Sequence, residues 1–534
     1  MGLPRPEPIH HLLLRLWIVL LFSTWIDSAF ATCRLVRRGL SRDIVLKGTV
    51  LTVAGALPAD SVLFIQSGKI AHVGDICGLG TRGADASVVD CSYSGSVISP
   101  GFINTHEHID YSAIARPFAD IGERVRHRHD WRLGARNHTM RALSKKMNAT
   151  AATAWGELRH VFSGTTSLVG GEMAPGLARN LDFADALEDG LHGHRVVRYD
   201  TFPLDDGRLG ITRTSDCDYG PGAIDYDAAA GYHRLLVHVG EGVDAEAANE
   251  FRCLSDSTYD TTPLSTGTGG GGGGGLSTDI LAPNLALVHA LGLTDEHFDL
   301  VAARGAKVVW SPRSNVFLYG RTLNVTRLLD EVGITVALGT DWLPSGSATM
   351  AREAVCAAHV TRVAFGVEIQ PKTLWEMATV NAAVVAGFED SLGSLDVGKM
   401  ADVVVFASSS STGADTYLLP GSGNKPNDHA NAESEKATAD PFAEAIFAPQ
   451  ERIELVLRGG KVLLAGSAIR DLATGNCETV AFGDVETKVV CVADELGSSF
   501  KEFEKALGDV YPAILPPEPP DEPSCEPDKK FDNV

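Results

Sequence analysis

The chain has 534 residues, 44% hydrophobic and 21% charged, the composition of an ordinary globular protein with room for one large domain and a small companion. Its formal net charge of −22 repels polyanions, which argues against nucleic-acid or anionic-membrane binding through a general electrostatic field. A small-molecule substrate is untouched by that exclusion, and homo-oligomerisation stays open.

Residues 1–31 are a different material. "HLLLRLWIVLLFSTWIDSAFA" is apolar apart from Arg15 and Asp27 and ends in the small-x-small pattern Ala29, Phe30, Ala31, which predicts a signal peptide cleaved near Ala31 and a secreted or extracellular protein, periplasmic if bacterial. An uncleaved anchor is the alternative. Nine scattered cysteines without a CxxC agree with an oxidising compartment and predict several disulfides and an odd thiol. Cys356, in an apolar helical run, reads as the buried free one; Cys77 with Cys91, or Cys477 with Cys491, reads as a local pair. Asn137, Asn148 and Asn324 head N-x-T sequons, acceptors in a eukaryotic glycoprotein.

Residues 32–98 read as short strands with period-two apolar spacing, "DIVLKGTVLTVAG", "SVLFIQSGKIAHVGD" and "SVVDCS", the N-terminal part of a small β-domain. From about residue 99 to 390 the pattern alternates strand with helix: "VISPGFIN", "GTTSLVGG", "RVVRYDTF", a weak "GRLGITRT", "RLLVHVG", "LALVHA", "AKVVWSP" and "ITVALGTD". Eight such strands predict an α/β protein built on a parallel (β/α)₈ TIM barrel. Residues 391–480, with "SLGSLDVGKMADVVVF" and "RIELVLRGGKVLLAG", resemble the first β-segment in character, so the two pieces are expected to form one split β-sandwich domain flanking the barrel. Residues 481–534 are an extension. The Gly-rich stretch 265–278, the polar loop 407–440 and the Pro-rich acidic tail from residue 512 are expected to be disordered.

Barrel enzymes carry their reacting groups at the C-terminal ends of the strands. His106 and His108 sit two apart where the first strand ends; alternation sends both to one side, offering two imidazoles to one point. His238 ends the fifth strand, His289 the sixth and Asp341 the eighth, and Glu241 follows His238 by three residues. His106, His108, His238 and Asp341 can therefore converge on one divalent ion with mixed N and O ligation, typical of Zn²⁺, with Fe²⁺ and Mn²⁺ as alternatives. Each residue also has a plainer reading: a hydrogen-bonded core histidine, a helix-capping Asp341, a solvated Glu241. Four such coincidences at strand ends are less plausible than one site.

The ordered set "PGFINTHEH", "HVGEG", "LVHA", "LGTD" and "LGSLDVGKMADVVVF" resembles the amidohydrolase superfamily over roughly residues 43–466. The HxxE after strand five is similar to its cytosine-deaminase and ATZ/TRZ branch. The resemblance implies one metal on His106, His108, His238 and Asp341, because the binuclear members of that superfamily carry a bridging Lys or Glu on the third or fourth strand and "RVVRYDTF" and "GRLGITRT" supply neither, Asp200 being the one unusual candidate. It further implies Glu241 as proton shuttle, His289 as a second polariser, and Asp341 as an alternative general base. It implies hydrolysis of a non-peptide carbon–nitrogen bond, of deaminase or amidase type. Rivals are a peptidase- or lactonase-like hydrolase on the same scaffold and a degenerate secreted binding protein. Two loops are candidate substrate contacts. "ERVRHRHDWR" gathers Arg128, His129, Asp130 and Trp131 after the first strand, where a carboxylate-bearing or aromatic substrate would suit it. "SPRSNVFLYG" is similar to the family's CPxSN loop with Ser311 in place of Cys, and offers Arg313 and Asn315.

Overall fold

The computed structural model describes residues 33–114, 116–141, 149–187, 190–191, 193–263, 275–409, 440–483 and 486–528. The expected signal peptide, the sequon at Asn148 and most of the Gly-rich and polar insertions lie outside them. Among the described residues no helix is long and apolar enough to cross a membrane.

The N-terminal segment forms strands β1 (Arg34–Arg37), β2 (Ile44–Lys47), β3 (Thr49–Thr52), β4 (Gly55–Ala56), β5 (Val62–Gln66), β6 (Lys69–Gly74), β7 (Ser87–Asp90) and β8 (Val97–Pro100). The chain then leaves this layer. Gly101 marks the crossing, because a Cβ there would lie 2.2 Å from the Thr166 hydroxyl oxygen. Single residues thus separate β8 from β9 (Phe102–Asn104), the first of eight strands that run β10 (Thr165–Leu168), β11 (Arg179–Asn180), β12 (Val197–Asp200), β13 (Arg234–Val239), β14 (Leu285–His289), β15 (Lys307–Trp310) and β16 (Val336–Leu338). All neighbouring pairs among them are parallel, in a three-stranded sheet β11-β10-β9 and a five-stranded sheet β12-β13-β14-β15-β16.

Hydrogen bonds join the two sheets at both flanks. Val197 N donates to Leu181 O at 2.9 Å beside β11 and β12, and Asp341 N to His106 O at 2.9 Å and His108 N to Asp341 O at 2.8 Å beyond β16 and β9. The strands are nearly continuous apolar runs, as expected where both faces are covered. Leu236, Ala286, Val288, Val309 and Ala337 share one core, while Leu235, Val237, Leu285, Leu287 and Val308 pack with Trp155 and Phe251 of the helices Ala149–Phe162 and Ala245–Ser255.

Strands β17 (Val403–Phe406), β18 (Ile453–Arg458), β19 (Lys461–Gly466), β20 (Glu478–Phe482) and β21 (Glu486–Val490) bring the C-terminal part back. β17 pairs antiparallel with β8 and β18, so segments from both parts of the chain share one eight-stranded sheet. Ile44, Leu46, Leu63 and Ile65 of the five-stranded sheet β1-β7-β2-β5-β6 pack in one core with Val403, Val405, Leu455 and Leu457 of that larger sheet.

Three expectations need correction. "GRLGITRT" (207–214) is irregular, because Gly210 turns the chain at φ 64° and donates its N–H to Asp206 O at 2.8 Å; the third strand is instead the two-residue β11, and "RVVRYDTF" holds the fourth. Neither β11 nor β12 carries Lys or Glu. The acidic tail is held in place through residue 528: Glu522 pairs with Arg352 at 2.6 Å and Arg313 at 3.2 Å, and Asp528 N bonds to Gly320 O at 3.0 Å. Cys356 is not free but bonded to Cys525, and Cys91 pairs with Cys33 instead of Cys77, which is exposed and is the free thiol; Cys477–Cys491 is a local pair as expected and Cys217–Cys253 completes the set.

Candidate metal centre

His106 and His108 follow β9, His238 lies in β13, His289 closes β14 and Asp341 stands three residues beyond β16. His106, His238, His289 and Asp341 are buried, and each offers a ligand atom such that all lie within 4.8 Å of one another. His108, partly exposed at the cavity, joins the same cluster: its Nε2 lies 3.5 Å from Asp341 Oδ1, and its ring 5.4 Å from that of His238. Strict alternation would turn His289 to the side of Leu285 and Leu287. The backbone prevents this, since His289 and Ala290 adopt φ of 67° and 53° and end the strand there. Asp341 has φ 66°. Such left-handed conformations cost on the order of 1–3 kcal/mol each for residues with side chains, and here they aim two donors at the cluster.

The donor set fits a divalent cation. Burial, reinforced by the neighbouring His289 ring, holds His106 well below the ordinary histidine range, and burial does the same for His238, so both are neutral and able to ligate. Among the described residues buried His238 Nδ1 has no hydrogen-bond partner. Asn315 Oδ1, an acceptor, lies 2.9 Å from His289 Nδ1, which places the proton on Nδ1 and leaves the Nε2 lone pair free. Asp341 is held through Oδ2 by the Ser314 hydroxyl at 2.5 Å, while its Oδ1 lies 3.0 Å from His106 Nε2. These supports are the outer contacts that orient metal ligands.

Glu241 is 4.0 Å from His289 Nε2. Its Oε1 accepts from Tyr319 Oη at 2.7 Å, and that hydroxyl in turn accepts from Trp131 Nε1 at 3.1 Å. Burial and the Glu241 charge push Tyr319 well above its ordinary range, keeping it a donor. A cavity of about 300 Å³ opens over the cluster. His108, His238, Glu241, His289 and Asp341 form its base; Tyr111, Trp131, Phe202 and Trp342 form aromatic walls. Of these, Trp131 belongs to the loop expected to contact substrate, whereas Tyr319, Tyr111, Phe202 and Trp342 were not among the expected site residues.

The charged and amide residues expected to contact substrate sit elsewhere. Arg128 is fully buried in an ion network, 2.7 Å from Asp206 and 3.1 Å from Glu250. His129 Nε2 is 2.8 Å from the same Asp206. Burial alone would raise Asp206, but Arg128 and His129 hold it well below the usual carboxylate range. Arg128 N also bonds to Glu241 O at 3.1 Å, so this network braces the Glu241 backbone. Arg313 is buried against Ser347 Oγ at 2.6 Å and Pro523 O at 2.5 Å. Asn315 reaches the site only through His289.

Parallel strands whose ends present imidazoles and carboxylates to one point are the layout of a metal-dependent hydrolase. Residues 255–462 match the model of the amidohydrolase family. It is similar to a 5-methylthioadenosine/S-adenosylhomocysteine deaminase of Teredinibacter turnerae, 38% identical over 128 residues, which cover 23% of this chain and 29% of that protein. A protein of the same description from Halothermothrix orenii is 26% identical over 374 residues, 66% of this chain and 81% of that protein. In fold, the chain is similar to an adenosine deaminase from Xanthomonas campestris with bound zinc, with a TM-score of 0.50 at 16% identity over 87% of this chain and 98% of the other.

Proposed function

We propose that this protein is a metal-dependent hydrolase that releases ammonia from an aminated heterocycle at the mouth of a closed (β/α)₈ barrel. The single observation that carries the reading is the gathering of three histidines and an aspartate within 4.8 Å at the ends of four parallel strands. Hydrogen bonds at both flanks of the two parallel sheets support closure of the barrel. The shared core supports a split sandwich of residues 32–98 and 391–480 around a barrel of residues 99–390; of the extension 481–534, strand β21 (Glu486–Val490) joins the same sheet. Relatives described as deaminases support the reaction type.

His106, His238 and Asp341 would hold the ion, taken as Zn²⁺ from the mixed N and O donors; His108 would be the further ligand, and His289 stands toward Glu241. When bound, such an ion would supply the acidity that lowers the pKa of a water towards about 7. Glu241 takes the water proton and delivers it to the departing nitrogen. Tyr319 holds that carboxylate in position through both transfers, and the aromatic walls stack the heterocycle and exclude water. Secretion is supported by the four disulfides.

Metal analysis with ammonia release across a panel of aminated heterocycles and N-acyl compounds tests the proposal. Glu241→Gln is expected to keep the metal and lose turnover by about 10²-fold or more, whereas His106→Ala loses both. Full activity in the glutamine variant would overturn the shuttle assignment, and release of a new carboxylate without ammonia would overturn deamination.

A further inference from the structure

Two arginines reach the cavity that Arg128, His129, Arg313 and Asn315 do not. Arg132 lies over the Phe202 ring at 4.3 Å, its Nη1 2.9 Å from His129 Nδ1, while its Nη2 donates to Gly207 O at 3.2 Å. Arg141 donates from Nη1 to Ala119 O at 2.9 Å and lies over Phe118 and Phe317 at 5.6 and 5.3 Å. Both line the cavity above the histidine cluster. Among the described residues neither has a carboxylate at ion-pair distance. The anions facing Arg132 are committed elsewhere, Asp206 to Arg128 and His129, and Glu241 to Tyr319. Those facing Arg141 are Asp120, paired with Arg124, and Glu123, paired with His138.

A half-buried guanidinium loses part of its hydration, a cost that nearby proteins groups normally offset with a carboxylate. Here aromatic rings and carbonyl oxygens support each cation, and part of its forked set of N–H donors is left for the cavity. The net charge of −22 opposes an incoming anion at long range, but at physiological salt the field decays over about 8 Å, and the two cations act within contact distance.

We propose that Arg132 and Arg141 form an oxyanion-binding subsite, and that the substrate is a planar heterocycle carrying a carboxylate or phosphate. This rests on the cavity being the substrate site of the proposed hydrolase. The aromatic walls take the ring, the arginines take the anion, and together they orient the amino carbon toward Glu241 and the histidines.

The test is calorimetric binding of indole-3-acetate, indoxyl phosphate and the neutral indole-3-acetamide to metal-free and metal-loaded protein. We expect either anion to bind at least about tenfold more tightly than the amide in both forms, about 1.4 kcal/mol. Arg132→Gln and Arg141→Gln are each expected to remove most of that preference while leaving amide binding unchanged. Tighter binding of the phosphate than of the acetate assigns a phosphate ester, and the reverse a carboxylate. Equal binding of acid and amide, or a preference that survives in the double variant or needs the metal, would overturn the subsite. If Arg132→Gln does not fold, Arg141→Gln carries the test alone, with Arg141→Lys as the charge-retaining control. Because binding is read without turnover, an arginine-dependent preference in a protein that releases no ammonia would sink the deaminase reading and leave the subsite standing.

Discussion

Tyr319 donates to the carboxylate proposed to carry the proton, and it does so from a helix whose other side chains, Ser314 and Asn315, hold Asp341 and His289. A hydrogen bond to a charged group is worth about 1.5–3 kcal/mol, so Tyr319→Phe is expected to lower turnover about tenfold with metal content unchanged, checked by steady-state kinetics beside metal analysis. Loss of the metal in that variant would show that the hydroxyl supports folding instead. The histidines and Asp341 were legible in the sequence because each ends or follows an apolar strand, where a barrel's reacting groups gather, although His289 and Asp341 reach the cluster through left-handed backbone that periodicity does not foretell. Tyr319 was not, since the pairing with Glu241 spans 78 positions and no local pattern announces it. The basic cluster at 123–132 was visible as chemistry but not in direction: Arg128 and His129 turn into a carboxylate network, and their neighbour Arg132 turns to the cavity.

Among the elements, the long apolar strands were readable, while β11 was not, because two residues leave no periodicity to detect. Composition also misled at the tail. Its prolines and acids suggest a chain unable to bury apolar surface, yet Leu515 and Tyr511 are buried, Arg159 and Trp155 bond to Tyr511 O, and Cys525 is tied to Cys356 across 169 residues. Closing so long a loop restricts the unfolded chain, an effect of about 2–4 kcal/mol. The double substitution of Cys356 and Cys525 by serine is therefore expected to lower unfolding free energy by that amount in urea titration and to expose residues 512–528 to limited proteolysis. An unchanged midpoint would mean that the salt bridges of Glu522 suffice.

At the scale of the whole molecule, the candidate centre draws its donors from both parallel sheets, so an ion bound there ties the sheets together in the folded state alone. Free Zn²⁺ at 100 times its dissociation constant is expected to raise stability by about 2.7 kcal/mol. Thermal melting with and without chelator checks this, and His106→Ala should abolish the shift. The split sheet has a further effect. Strand β8 gains its second neighbour only through β17, with Pro100 opposite Val403, roughly 300 residues downstream; at about 5–20 residues per second of translation that edge waits some 15 seconds or more on the ribosome. During synthesis it is a sticky, half-built surface, and chaperone supply is expected to govern how much of this protein a cell can make.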